Sequence, residues 1–210
     1  MPQLLTPDTL PNRPYLLALP GLGGDYRMYA GPWLRLPDLV RINWPTNYLP
    51  HSIIDLARWT AARLPGPPRL IIGSSMGGMV GLELARLLKV SDVCLVGSAT
   101  SHREINPSLR RLAPLARVAP FTAAAAFASG IPLLPPQMFA QQNPEFIRTM
   151  IKRIVTWSFS GRANIFRIHG RHDPIIPYQR ADRVVNGTHL ISVRNAAACV
   201  EAIQDHYSFS

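Results

Sequence analysis

The chain has 210 residues, of which 47% are hydrophobic and 16% charged, with a formal net charge of +10. That length suits one well-buried core and not two independent domains, and the apolar content excludes a disordered chain. The arginines are dispersed and accompany no nucleic-acid-binding signature, so the charge reads as a solvated basic surface with at most a bias toward anionic substrates.

The first residues lack the basic start and apolar segment of a secretory signal, which sets the expectation of a cytoplasmic protein. The run YLLALPG from Tyr15 then predicts a buried strand ending in a glycine-rich loop, and LVRINWP from Leu39 a second strand stopped by Pro45. In SIIDLARWTAARL, Ile53, Leu56, Ala57, Thr60 and Leu64 share one helical face, with Ser52 as cap and Asp55 in the first turn. RLIIGSS from Arg69 is a third strand, and MGGMVGLELARLLK is the helix that follows it. VCLVGSA from Val93 is apolar throughout, as an inner parallel strand must be.

The rhythm stops between Ser101 and Ser160, a stretch rich in Ala, Leu and Pro with helical patches such as PEFIRTMIKRIVTW. The run FTAAAAFASGIPLLPP within it is broken by Gly130 and Pro132, short of the roughly 18 to 20 apolar residues that span a bilayer. The rhythm resumes with NIFRIHGRHD, DRVVNGTH and a closing helix, AAACVEAIQDHY. Strands alternating with helices predict an α/β fold: one domain over residues 1–210, a mostly parallel sheet flanked by helices. The segment 101–160 is then a helical lid insertion at the sheet's carboxyl edge. Cys94 and Cys199 fit no metal-ligand spacing and read as small core residues.

One junction carries chemistry. A serine hydroxyl is a weak nucleophile unless a neighbour takes its proton. One solution stands it on a sharp strand-to-helix turn, which demands very small residues two places before and after it. Gly73-Ser74-Ser75-Met76-Gly77 meets that demand for Ser75, whereas Ser74 would have the bulky Ile72 and Met76 in those places. The run follows an apolar strand and opens a helix, the context that the pattern requires.

The partners follow in the order acid, then histidine. HGRHDPIIP sets Asp173 in the loop after a late strand, and NGTHLI sets His189 after the next one. Both leave the carboxyl ends of strands, where open α/β sheets bind ligands. His169 lies within a strand, His172 beside the acid, His102 at the start of the insertion, His206 in the last helix and His51 before an early one. Asp182 and Asp205 are likewise less well placed than Asp173. The Asp173-to-His189 step, 189 − 173 = 16 residues, leaves room for a strand but hardly for a helix.

An oxyanion would need two backbone N–H donors. Met76, next after Ser75, offers one; the loop LPGLGGDY offers the other, at Leu22 or alternatively Gly23. No G-K-[ST] follows that loop, so it is not a phosphate-binding P-loop. Phe121, Phe127, Leu133 and Met138 of the insertion are the expected acyl-binding side chains, or else they pack the lid on the core.

Taken together, LALPGLGGD, IIGSSMGGMVGLELA, IHGRHDPIIP and GTHL resemble the α/β-hydrolase superfamily across nearly the whole chain, most closely its small single-domain esterase-like members. Three departures stand out: PG replaces the HG of many relatives before the oxyanion loop, the acid-to-histidine step is short, and the opening antiparallel strands of larger members are missing. The resemblance implies hydrolysis of a small-molecule ester or thioester through an acyl-enzyme on Ser75, with His189 as base and Asp173 orienting it. It implies no metal and no organic cofactor, while the dispersed charge and the short apolar runs set the expectation of no nucleic-acid partner and no membrane span. A serine at the turn argues against haloalkane dehalogenation, which uses an aspartate there; peptidase, lactonase and perhydrolase chemistries share the serine. A ligand-binding module of the same fold with little turnover is the alternative.

Overall fold

The computed structural model describes residues 14–112, 143–178 and 180–209. Its strands are β1 (Leu16–Leu19), β2 (Leu39–Arg41), β3 (Leu70–Ser74), β4 (Asp92–Val96), β5 (Asn164–Gly170) and β6 (Arg183–Val185). The helices are α1 (Ile53–Ala61), α2 (Met76–Leu88), α3 (Pro107–Leu112), α4 (Pro144–Ile154), α5 (Ile191–Arg194) and α6 (Ala196–His206). All strand pairs are parallel, in the order β2-β1-β3-β4-β5-β6.

Why β1 and most of β3 and β4 are apolar on both faces is plain from the two cores. Leu17, Leu19, Ile71, Val93 and Leu95 point into one, with α1, α2 and α4. Leu16, Ala18, Leu70, Ile72, Cys94 and Val96 point into the other, with Tyr29, Trp33 and α6. Successive side chains of a strand face opposite ways, so a sheet covered on both faces needs both sets apolar. Cys94 and Cys199 are buried free thiols, and burial pushes the Cys199 thiol up to about 12, so both are packing residues.

The helix start at α1 follows the sequence signal: the Ser52 hydroxyl accepts from the Asp55 N–H at 3.0 Å. The helix ends at Ala61, one turn before the Leu64 that the periodicity included. α2 lies unusually close to the sheet, because a Cβ on Gly78 would sit 2.3 Å from Ser98 Oγ and one on Gly81 would sit 2.9 Å from Ile71. Its one buried acid, Glu83, accepts from Trp157 Nε1 at 2.9 Å and from Arg86 Nε at 3.0 Å.

The connection from β4 to β5 contains a short 3₁₀ turn (His102–Glu104), α3 and α4. Its two ends are zipped together by His102 N–H to Trp157 O (2.7 Å) and Phe159 N–H to Thr100 O (2.8 Å). The lid expected over 101–160 includes residues 113–142, which lie outside the described residues. α4 is more than a lid element, because Phe146, Ile147, Met150 and Ile151 join the main core. Among the described residues, no helix is long and apolar enough to cross a membrane.

The topology fixes where a ligand belongs. The chain leaves β1 toward β2 and then returns to the other side of β1 as β3, so connections diverge above the β1/β3 boundary. The crevice at the carboxyl ends there is the ligand site of an open parallel sheet.

Candidate active site

Ser75 sits at that crevice, between the end of β3 and the start of α2, with φ 49° and ψ −121°. This left-handed conformation is rarely adopted by a residue with a side chain and persists only where the surroundings enforce it. They do so through backbone. A Cβ on Gly73 would lie 2.4 Å from the Cα of Gly78, and one on Gly77 would lie 2.2 Å from the carbonyl oxygen of Leu19. Those atoms cannot swing aside, which is the physical content of the G-x-S-x-G spacing. The turn is pinned further by Ser75 N–H to Val96 O (3.1 Å) and by Ser98 Oγ donating to Ser75 O (2.6 Å).

His189 lies in the segment between β6 and α5 and brings Nε2 to 2.9 Å from Ser75 Oγ. Its Nδ1 is 2.8 Å from Asp173 Oδ2. Asp173 Oδ1 accepts from the N–H groups of Ile175 (2.8 Å) and Ile176 (3.0 Å), so neither carboxylate oxygen is idle. A third contact comes from His169, whose Nε2 donates to Ile176 O at 2.8 Å and lies 3.4 Å from Asp173 Oδ2. Burial by itself raises the Asp173 pKa, but the His189 charge, the hydrogen bonds from His169 and His189 and the Ile176 N–H outweigh it. The carboxyl is held well below its usual range and stays ionised at neutral pH.

The short step from Asp173 to His189 has a structural answer. No helix separates β5 from β6 among the described residues, and the two loops bond directly to each other instead. His172 N–H donates to Gly187 O (2.9 Å) and Arg171 N–H to Val185 O (2.8 Å). Gly170 permits this, since a Cβ there would stand 2.2 Å from Thr188 O. The acid loop thus supports the histidine loop without an intervening helix.

The loop after β1 lies against the turn: a Cβ on Gly21 would be 3.4 Å from the Ser75 Cβ. Trp44 Nε1 donates to both Pro20 O and Gly21 O at 3.2 Å and orients the loop. The amides of Leu22, Gly23 and Met76 donate to no acceptor among the described residues.

The other histidines and acids are occupied elsewhere. His206 stacks on Phe166 with centroids 3.9 Å apart, His102 contacts Trp157 O and Ser158, and His51 and His172 are exposed. Asp182 accepts from the Arg167 N–H and Asp205 from Arg183. The expected acyl-binding residues Phe121, Phe127, Leu133 and Met138 lie outside the described residues.

A pocket with a largely apolar lining opens beside Ser75. Its walls are Leu22 and Met79 from the core side, Ile105 and Leu109 near α3, Ile151 and Ile154 of α4 with Val155 just after it, and Ile175 and Ile176 of the acid loop. These wall residues were not anticipated; of them, only the i, i+3, i+4 pattern of 151, 154 and 155 is a periodic signal. The described residues contain no group of three or more His, Cys, Asp or Glu placed to hold a metal ion.

A family model described as "Alpha/beta hydrolase family" matches residues 2–202. No curated protein matches the chain. Among solved structures, the enol-lactonase from Burkholderia xenovorans LB400 is 18% identical with a TM-score of 0.73, over 93% of this chain and 91% of that one. A type II thioesterase from the yersiniabactin NRPS/PKS biosynthetic pathway is 19% identical with a TM-score of 0.69, over 97% and 96%. A lipase-esterase related protein from Clostridium acetobutylicum ATCC 824 is 13% identical with a TM-score of 0.73, over 92% and 94%. At these identities the likeness is one of fold.

Proposed function

The chain belongs to the alpha/beta hydrolase family, and we propose that it is a serine hydrolase that cleaves a carboxylic ester or thioester through an acyl-enzyme on Ser75. The observation that carries this reading is the unbroken series from Asp173 Oδ2 through His189 to Ser75 Oγ, at 2.8 and 2.9 Å. An ionised Asp173 accepts a hydrogen bond from the Nδ1–H of His189, which leaves the Nε2 lone pair facing the serine hydroxyl.

The steps follow from that tautomer. As Ser75 Oγ bonds to the acyl carbon, its proton passes to His189 Nε2 and the carbonyl electrons move onto oxygen. That oxyanion takes hydrogen bonds from the Met76 amide and from Leu22 or Gly23. When the carbon–oxygen or carbon–sulfur bond breaks, Nε2 returns the proton to the departing alcohol or thiol. Water then attacks the acyl-enzyme, giving a proton to His189, which hands it back to Ser75 as the acid leaves. Asp173 stabilises the imidazolium in both halves. Ile105, Leu109, Ile151, Ile154 and Val155 of the connection between β4 and β5 form a wall over the acyl group.

An active-site fluorophosphonate is the direct test, with the adduct mapped by mass spectrometry. The adduct is expected on the peptide carrying Ser75 and on that residue. A label on Ser74 refutes the assignment; no label and no turnover across an acyl panel favours a binding module instead.

A further inference from the structure

Resting on that reading, we infer that the acyl half of the substrate is an unsubstituted hydrocarbon chain, not a hydroxylated or dicarboxylic one. Apart from Ser75 itself, every described residue lining the pocket is aliphatic or methionine. Among these described residues no side chain other than Ser75 can donate or accept a hydrogen bond, and the oxyanion amides are reserved for the scissile carbonyl. A hydroxyl carried into this space leaves its water partners and finds none, which costs about tenfold or more in transition-state binding. A carboxylate costs far more, since none of the described lining residues offers a compensating charge. Each methylene that enters gains about fourfold until the space is filled. Of the walls, Ile154 at the end of α4 and Val155 just after it are partly buried at the edge of the core, so a larger side chain there narrows the pocket.

The test is kcat/KM for p-nitrophenyl acetate, butyrate, hexanoate and hemisuccinate, each divided by its rate in hydroxide alone. The ratio is expected to climb about fourfold per methylene from acetate to hexanoate, with hemisuccinate at or below acetate. Ile154→Phe should lower the hexanoate-to-acetate ratio about tenfold, as roughly two methylenes' worth of space is filled. A flat series, or hemisuccinate equal to hexanoate, overturns the inference but leaves a working hydrolase. Absence of hydrolysis on every ester, together with no fluorophosphonate adduct, overturns the underlying reading.

A separate observation concerns Ser74, the serine that the turn does not present. Its Oγ lies 3.0 Å from Ser192 Oγ, and both residues are buried. Ser192 stands three residues after His189 in α5, a four-residue helix without a side-chain cap and too short to hold itself. Its carbonyl accepts from Trp33 Nε1 at 2.7 Å. We propose that the Ser74–Ser192 bond is a positioning link, tying the strand that carries Ser75 to the segment that carries His189.

Its removal should act on turnover more than on binding. Ser74→Ala and Ser192→Ala are each expected to lower kcat about tenfold, through a sub-ångström shift of the imidazole, with KM within about twofold. The double variant should be no slower than either single one, because both delete the same bond. Multiplying losses in the double variant, or a fall in melting temperature with kcat unmoved, refutes the link.

Discussion

Ser75→Ala is expected to lower kcat on p-nitrophenyl esters by about 10⁵- to 10⁶-fold, the scale seen when a triad nucleophile is deleted. The size of the effect follows from the absence of a substitute. Ser74 cannot replace it: its hydroxyl is engaged with Ser192 and its side chain is buried away from the pocket. Water placed by His189 remains the only nucleophile, and it lacks the alignment that the strained turn imposes on Oγ. Ser75→Gly is the informative companion. It removes the same oxygen and also relieves a φ of 49°, which glycine adopts freely. It should therefore be as inactive as the alanine variant yet unfold at a higher temperature, by a margin worth about 1 kcal/mol. Steady-state rates and thermal melts of the two proteins check both halves. A loss under a hundredfold in either would mean that another residue attacks the substrate.

What the sequence disclosed and what it withheld divide along a physical line. The strand-to-helix turn was legible because its glycines answer to backbone atoms a few residues away, as with Gly73 against Gly78. Asp173 and His189 were legible because strand ends in a parallel sheet converge on one edge, so position along the chain implies position in space. Ser98 and Trp44 were not. Each acts through a contact between segments with no fixed spacing, such as Trp44 Nε1 on the Pro20 and Gly21 carbonyls. Reading PEFIRTMIKRIVTW as a lid patch missed that Phe146, Ile147 and Met150 are core residues. A helical period states that a face is apolar and leaves open which surface it meets. The acid loop shows a further limit, because replacing a helix by direct loop-to-loop bonding depends on Gly170, whose role appears only once Thr188 is seen above it.

Asp173→Asn separates orientation from mere packing. Asp173 Oδ1 accepts two backbone N–H groups, while Oδ2 faces His189 Nδ1. In the asparagine variant the carbonyl oxygen must keep the two backbone donors, which turns the NH₂ toward Nδ1. An NH₂ there makes Nδ1 the acceptor, so the imidazole proton moves to Nε2 and points at Ser75. The base is then in the wrong tautomer, and kcat should fall about 10⁴-fold with the fold intact. Activity within tenfold of the parent would instead assign the role to another carboxylate. The pH dependence gives an independent sign. The folded pKa of Asp173 lies well below its unfolded value, so its ionised form stabilises the protein. That stabilisation is fully present above the unfolded carboxyl range, near pH 4, and is lost as pH falls toward the folded value. The parent should therefore lose stability on acidification below about pH 4 more steeply than the asparagine variant, which has no proton to bind there. Urea unfolding at pH 3, 4 and 6 reads this difference directly. Equal slopes in the two proteins would show that the carboxylate's contacts contribute nothing to the folded state, and that its place beside His189 is held by the loops alone.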